Sequence, residues 1–165
     1  MPSGAEQRLL YPASAGVVLV IDVASKALAE RALDAHAVVP VMGEFLRFHL
    51  VYNTGAAFGL DVGLYSRWVF LTLAVCAVII LTHLARNTSP LDRFRLLALG
   101  LVAGGAAGNL VDRIRSPLGV VDFIDVGLGG LRFPTFNVAD IGVSTGAVLL
   151  AMSFWLADSR ARAEA

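Results

Sequence analysis

Four long apolar stretches divide the chain into membrane-crossing and connecting segments: residues 14–32, 68–85, 94–111 and 141–157. A helix needs about 20 mostly apolar residues to cross a bilayer, so this pattern predicts four transmembrane helices. The second and fourth stretches contain no Asp, Glu, Lys or Arg, whereas the first contains Asp22 and Lys26 and the third is short and rich in glycine. An even number of spans places both ends of the chain on the same side of the membrane.

The two long loops between these helices carry a strand pattern. In the first loop, at about residues 31–67, the segment "EFLRFHLVYN" partly alternates and is rich in β-branched and aromatic residues. In the second, at about residues 112–140, "GVVDFIDVGLGGLRFPTFN" predicts two short strands around the "GLGG" turn. We therefore predict an α-helical integral membrane protein with a small extracytoplasmic β-sheet built from its two outer loops.

Composition supports this fold class and excludes several functions. Hydrophobic residues make up 57% of the 165 residues, charged residues make up 16%, and the mean hydropathy is +0.73. The length indicates one membrane-embedded domain, residues 1–165. The formal net charge of zero gives no basic surface for nucleic acid. A single cysteine excludes an internal disulfide and a cysteine-rich metal site, and we predict no metal and no cofactor.

Arginine distribution decides the predicted orientation. Each side of the membrane receives six arginines, but the short loop "RNTSPLDRFR" holds three of them within ten residues. By the positive-inside rule this loop is cytoplasmic, and both termini lie on the same side as the loop. Charged residues interrupt the first apolar stretch, so we interpret it as a retained helix rather than a cleaved signal peptide.

Polar residues inside or at the end of a span mark candidate functional positions, because burying them in lipid is costly. Asp22 and Lys26 are four residues apart and share a helix face, which favours a structural ion pair over direct contact with substrate. Glycines 100, 104 and 108 form a close-packing face. The same helix ends in a polar cluster, Asn109, Asp112 and Arg113, for which solvated helix-end charges are the simpler interpretation.

Four carboxylates are predicted near the outer membrane edge: Asp112, Asp122, Asp125 and Asp140. Asp122 is flanked by apolar residues, and Asp140 opens the last span. Two carboxylates brought together in a dry site share one proton, so one can act as general base on water and the other as general acid. The sequence contains no GxSxG or HExxH motif. A proton-coupled carrier using Asp22, Lys26 and Asp140, or a structural membrane protein without catalysis, remains open at this point.

Five motifs in chain order resemble those of bacterial lipoprotein signal peptidase, also called signal peptidase II. They are "DVASK", "YNTGAAFG", "GNLVDR", "VVDFID" and "FNVAD", beginning at residues 22, 52, 108, 120 and 136. Each motif alone is weak, but five in order on four predicted spans are specific to this family.

The resemblance implies an aspartic endopeptidase whose catalytic pair is Asp122 and Asp140. It implies that other polar residues line or hold the substrate site, namely Asn53, Gly55, Asn109, Asp112, Arg113 and Asn137, and that Asp22 and Lys26 support activity or structure. The expected substrate is a prolipoprotein whose cysteine already carries diacylglycerol, cleaved just before that cysteine. Our hypothesis is that this lipid-anchored substrate approaches along the glycine face of the third span. We further expect a monomer in the bacterial cytoplasmic membrane, surrounded by lipid and inhibited by the cyclic peptide globomycin.

Overall fold

The computed structural model describes residues 9–55, 63–128 and 130–163. It contains four long helices, each long and apolar enough to cross a membrane, which confirms the predicted fold class. They are α1 (Leu10–Ala32), α2 (Ser66–Asn87), α3 (Arg93–Arg115) and α4 (Val138–Ala163). Each predicted apolar stretch lies within one of these helices, and the helices extend beyond it into more polar sequence.

Helix α3 forms the centre of the bundle and packs against each of the other three helices. Its buried residues include Leu96, Leu99 and Ala103, whereas only Ser66 and Ala85 of α2 are buried, as expected for a helix surrounded by lipid.

The predicted glycine face of α3 is a contact with α1. A Cβ added at Gly104 would meet the backbone of Ala15, and one at Gly108 would meet the side chain of Asp22. Helix α1 therefore occupies this face, and the hypothesis that a substrate approaches along it is wrong.

A four-stranded antiparallel sheet in the order β1–β2–β3–β4 connects the same ends of the helices. Its strands are β1 (Val38–Met42), β2 (Leu46–Asn53), β3 (Val120–Leu128) and β4 (Leu131–Arg132). Strands β2, β3 and β4 lie in the predicted segments. The part of the "NTGAAFG" turn after residue 55 and Gly129 of the "GLGG" turn lie outside the described residues.

The sequence did not predict β1. Its segment "VVPVM" has no alternation, and all five residues are exposed. Pro40 cannot donate a ladder hydrogen bond, and β1 tolerates it because β1 is an edge strand with an irregularity between Pro40 and Met42.

Backbone hydrogen bonds attach the start of α4 to β3. The carbonyl of Phe136 accepts from the N–H groups of Phe123 and Ile124, and the Phe136 N–H donates to the carbonyl of Ile124. Phe136 immediately precedes the first residues of α4, so these bonds bring the N-terminal end of that helix beside the middle of β3. The two sequence blocks "VVDFID" and "FNVAD" are thereby joined.

The contact between α1 and α3 generates the first prediction. Replacing Gly104 with leucine should force the two helices apart, because even a Cβ there lies too close to Ala15 and Val18. Overpacking of this kind costs about 1–3 kcal/mol, so thermal unfolding in detergent should occur at a lower temperature and activity should fall.

Gly16 provides a matched control, since it lies in α1 and a Cβ there meets nothing within 4 Å. Gly16→Leu should leave the unfolding temperature close to that of the wild type. A Gly104→Leu protein as stable and active as Gly16→Leu would contradict this packing account.

Candidate active site

Asp140 lies in the first turn of α4, where a reciprocal capping arrangement holds it. Its backbone N–H donates to Asn137 Oδ1 at 3.0 Å, and its Oδ2 accepts from the backbone N–H of Asn137 at 3.1 Å. This is the geometry of a capping box, in which two otherwise unpaired groups at a helix start satisfy each other. A carboxylate is also favoured there by the positive end of the helix dipole. Local helix chemistry therefore accounts for a carboxylate at the beginning of an apolar helix.

Asp122 lies in β3, paired in register with Val51 of β2, and its side chain is buried. Its Oδ1 accepts from Asn137 Nδ2 at 2.6 Å, and its Oδ2 accepts from Asn53 Nδ2 at 3.2 Å. Asn137 thus contacts both carboxylates, one through its side-chain amide and the other through its backbone. A second amide, Asn109, donates to Asp140 Oδ1 at 2.9 Å.

The environment of Asp122 favours its protonated form. Burial, followed by the nearby negative charge of Asp140, raises the pKa of Asp122 from 3.8 to about 7. The amide donors Asn53 and Asn137 oppose this shift only in part. Asp122 therefore exchanges a proton near neutral pH beside a second carboxylate, which is the property expected of an acid–base pair.

Asp125, the other candidate carboxylate in β3, has a structural role in the sheet. Arg47 of β2 and Arg132 of β4 both form ion pairs with it, at 2.8 and 2.7 Å. Burial alone would raise the pKa of Asp125, but hydrogen bonds from the two arginines outweigh it and lower the pKa. Asp125 clamps three strands together and does not adjoin the cavity beside Asp122.

Both carboxylates of the pair open onto one cavity of about 560 Å³. Its polar lining includes Asn53, Gly55, Asn109 and Arg113, and its other walls come from β2, the segment before α4, and α4 itself. The predicted site residues Asn53, Gly55, Asn109, Arg113, Asp122 and Asp140 thus meet at one place. Asn137 lies directly behind the two aspartates.

Arg113 connects the outer loop to the cavity. Its guanidinium donates to the carbonyl of Gly55 at 2.9 Å and to the carbonyl of Asn109 at 3.2 Å. Its Nε is buried with no hydrogen-bond partner among the described residues. Arg113 is therefore buried in the site, and the interpretation of this residue as a solvated helix-end charge is wrong.

Asp112 differs from its predicted position. We expected it to line the site, but it does not line this cavity. Its Oδ2 accepts from Lys26 at 2.9 Å and from the backbone N–H of Val121 at 3.2 Å, and its Oδ1 accepts from Arg115. Sequence spacing placed it near Asn109 but could not show that it faces α1 and β3.

Asp22 and Lys26 form the expected ion pair, at 2.7 Å and almost completely buried. Asp22 Oδ1 also accepts from the backbone N–H of Ala139 at 2.8 Å, so it satisfies a second free donor at the start of α4. Neither residue lines the cavity, so direct contact with a substrate there is not supported.

Several cavity residues were not predicted from the sequence as part of the site. Phe133, Pro134 and Phe136 form one wall, and Val143 and Ser144 of α4 form part of another. Their only signal was position: just before the "FNVAD" block, at its first residue, or one turn after it. Over residues 9–55, 63–128 and 130–163, no three His, Cys, Asp or Glu side chains converge as metal ligands.

Comparison with known proteins identifies the family. The model of the family "Signal peptidase (SPase) II" matches residues 14–156. A lipoprotein signal peptidase from Pseudomonas fluorescens is 41% identical over 143 residues, covering 84% of this chain and 83% of that protein. One from Nitratidesulfovibrio vulgaris is 42% identical, with 82% of each covered. The chain belongs to the signal peptidase II family.

Solved structures agree with this assignment. A bacterial membrane enzyme that is 27% identical superposes with a TM-score of 0.82, covering 91% of this chain and 90% of that one. A second, 28% identical, gives a TM-score of 0.77 over 87% and 91% of the two chains. Signal peptidase II membership makes the chain a peptidase of the membrane, and every site residue described above lies within the matched segment.

The pKa of Asp122 generates the second prediction. Because its pKa rises from 3.8 to about 7 on folding, the native state binds a proton that the unfolded state lacks between those values. Stability should therefore fall as pH rises from about 4 to about 7 and level off above, by on the order of a few kcal/mol. Asp122→Asn removes the titrating group, so its unfolding temperature in detergent should depend less on pH.

Asp158→Asn is the control, because Asp158 is an exposed carboxylate near the end of α4. It should retain the pH dependence of the wild type. Identical pH dependence in all three proteins would show that Asp122 is not the group that titrates.

Proposed function

We propose that this chain is an aspartic endopeptidase that removes the signal peptide from prolipoproteins carrying a diacylglyceryl cysteine, by cleaving before that cysteine. The proposal rests chiefly on Asn137, which contacts both Asp122 and Asp140 beside the cavity. The raised pKa of Asp122 suits proton exchange near neutral pH. The names of the related proteins, lipoprotein signal peptidases, supply the substrate class.

The proposed mechanism uses water as the nucleophile. One carboxylate of the pair is ionised and takes a proton from water, and the resulting hydroxide attacks the carbonyl of the residue before the cysteine. The other carboxyl is protonated and donates to the developing oxyanion. When the tetrahedral intermediate collapses, the C–N bond breaks and a proton passes to the amine of the cysteine. Two interacting carboxyls can share one proton, so base and acid are not assigned to individual residues.

Proton transfer by a positioned pair supplies about 10²–10⁴ in rate, and positioning and water exclusion must supply the rest. Two features support these contributions. Asp122 is buried behind amide donors, and the cavity is walled by Phe133, Pro134 and Phe136. The acyl chains of the substrate would confine it to the bilayer surface, which reduces the volume through which it must diffuse to reach the site.

We propose that the enzyme is a single membrane-embedded domain that works as a monomer in the bacterial cytoplasmic membrane. Both termini are cytoplasmic, and the active site faces the outer surface. Supporting this arrangement, the loop "RNTSPLDRFR" lies at the opposite end of α3 from Asn109 and Arg113.

The carrier interpretation required Asp22, Lys26 and Asp140 to relay protons. Asp22 and Lys26 instead neutralise each other, and Asp22 is held by the start of α4. Family membership makes the chain a peptidase. Neither the carrier nor the purely structural interpretation accounts for that membership.

The third prediction concerns cleavage of a diacylglyceryl prolipoprotein by the purified protein in detergent. The wild type should cleave before the modified cysteine and should be inhibited by globomycin. Asp122→Asn and Asp140→Asn should each lose about 10³-fold or more in rate, because removing one member of a catalytic unit disables the unit.

Asp158→Asn, the exposed carboxylate, should cleave at the wild-type rate. A prolipoprotein without the lipid should be a poor substrate. Cleavage that survives substitution of either Asp122 or Asp140 in a folded protein would contradict the proposed chemistry, and failure of the wild type to cleave would contradict the proposed substrate.

A further inference from the structure

Three side-chain amides donate to the two active-site carboxylates, and each must be turned so that its nitrogen faces the aspartate. An amide presents an oxygen that accepts and a nitrogen that donates, so a rotation of 180° exchanges the two. Asn53 and Asn137 are each oriented by a nearby backbone N–H. Gly55 donates to the oxygen of Asn53, and Asp140 donates to the oxygen of Asn137, so their nitrogens point to Asp122.

Asn109 has no such local donor, because it lies within α3, where backbone N–H groups are committed to the helix. Its oxygen instead accepts from Lys26 Nζ at 2.9 Å, while its nitrogen donates to Asp140 at 2.9 Å. An ammonium group only donates, so the Asn109 atom facing Lys26 must be the oxygen. Asn137 Nδ2 also donates to this oxygen at 3.1 Å, but its two hydrogens are shared among three acceptors, whereas the Lys26 contact is shorter and carries a charge.

Lys26 is itself held in one orientation. Its ammonium donates a hydrogen bond to Asn109 at 2.9 Å and forms ion pairs with Asp22 at 2.7 Å and Asp112 at 2.9 Å. The side chain is 1% exposed, so water does not compete for these positions. A buried ammonium held between two carboxylates has little freedom to move away from Asn109.

We infer that Lys26 is a positioning residue for the proposed hydrolysis, whose ammonium fixes the Asn109 amide so that it donates to Asp140. The inference rests on the proposed function of the Asp122 and Asp140 pair. Without Lys26, the Asn109 amide can rotate and place its oxygen against the carboxylate, which removes a donor and adds a repulsive contact. Lys26 therefore acts on catalysis through Asn109 and does not touch the substrate.

The charged groups around this contact come from every element packed against Lys26. They are Asp22 and Glu30 of α1, Asp112, Arg113 and Arg115 of α3, Asp122 of β3 and Asp140 of α4. Loss of the Lys26 charge removes the positive charge of α1 that lies nearest to Asp122 and Asp140. The ionised carboxylates would lose both that charge and an oriented donor, so the alkaline limit of activity should move to higher pH.

The test uses a charge-balanced variant, because Lys26→Met alone leaves the buried carboxylate of Asp22 without its counter-charge, whereas Asp112 keeps Arg115. The double substitution Asp22→Asn/Lys26→Met removes one charge of each sign, and the new amide oxygen at position 22 can still accept from the Ala139 N–H. A second variant, Asn109→Asp, keeps an acceptor for Lys26 but cannot donate to Asp140. Glu30→Gln is the control, since Glu30 lies on α1 and pairs with Arg115 without contacting Asn109.

For both test variants we expect kcat to fall about 10²-fold with KM changed less than about threefold, the size of effect of a misplaced acid–base group. Because both variants deprive the ionised Asp140 of a donor, their kcat–pH profiles should extend to higher pH than those of the wild type and Glu30→Gln. Combining Asn109→Asp with the charge-balanced variant should add little further loss, because both changes remove the same interaction.

Wild-type kcat and pH profile in Asn109→Asp, or fully additive losses in the combined variant, would overturn the inference. If the lysine variant does not fold, Asn109→Asp can still overturn the inference, because wild-type activity in that variant would show that the donor to Asp140 is not needed. If only the positioning role of Lys26 is wrong, Asp122→Asn and Asp140→Asn will still be inactive. If the proposed function is wrong, those two variants will not lose activity, so the two failures can be distinguished.

Discussion

The buried ammonium of Lys26, shared between Asp22 and Asp112, is the contact on which the arrangement of the site depends. Each of these carboxylates also accepts a hydrogen bond from a backbone N–H of an element that carries one aspartate of the proposed catalytic pair. Asp22 accepts from Ala139 at the start of α4, and Asp112 accepts from Val121 in β3. Buried charges cost free energy unless their partners are complete, so this cluster is stable only when α1, α3, α4 and β3 are all in place.

A second constraint is that Asp122 and Asp140 must be shielded from bulk water and still open onto a cavity that a water molecule can enter. Burial of Asp122 and its nearness to Asp140 raise the pKa of Asp122 to about 7, which one isolated carboxylate in water would not show. Amide donors limit that shift without adding charge. Neutral donors are suited to this position, since a cation paired directly with Asp122 would have held it ionised, as the arginines hold Asp125.

Hydropathy predicted the membrane helices, and i, i+4 spacing predicted the Asp22–Lys26 pair, because both depend on local sequence. The direction in which the Asp112 side chain points, and the packing of α1 on the glycine face of α3, could not be predicted, since both depend on which elements pack together. Strand β1 was missed because its residues carry no alternation. Motifs in the sequence predicted Asn109 and Asn137 as site residues. The Asn137 amide is oriented locally by the backbone N–H of Asp140, whereas the Asn109 amide contacts Lys26 of another helix, which spacing along the chain could not show.

The most direct test of the central claim is an infrared titration of the detergent-solubilised enzyme, following the protonated carboxyl stretch of aspartate between pH 5 and 9. The account predicts a protonated aspartate that persists to near neutral pH, loses its proton with a midpoint of about 7, and is absent from Asp122→Asn. A wild-type spectrum without a protonated aspartate at pH 6, or one unchanged by Asp122→Asn, would contradict the shared-proton pair.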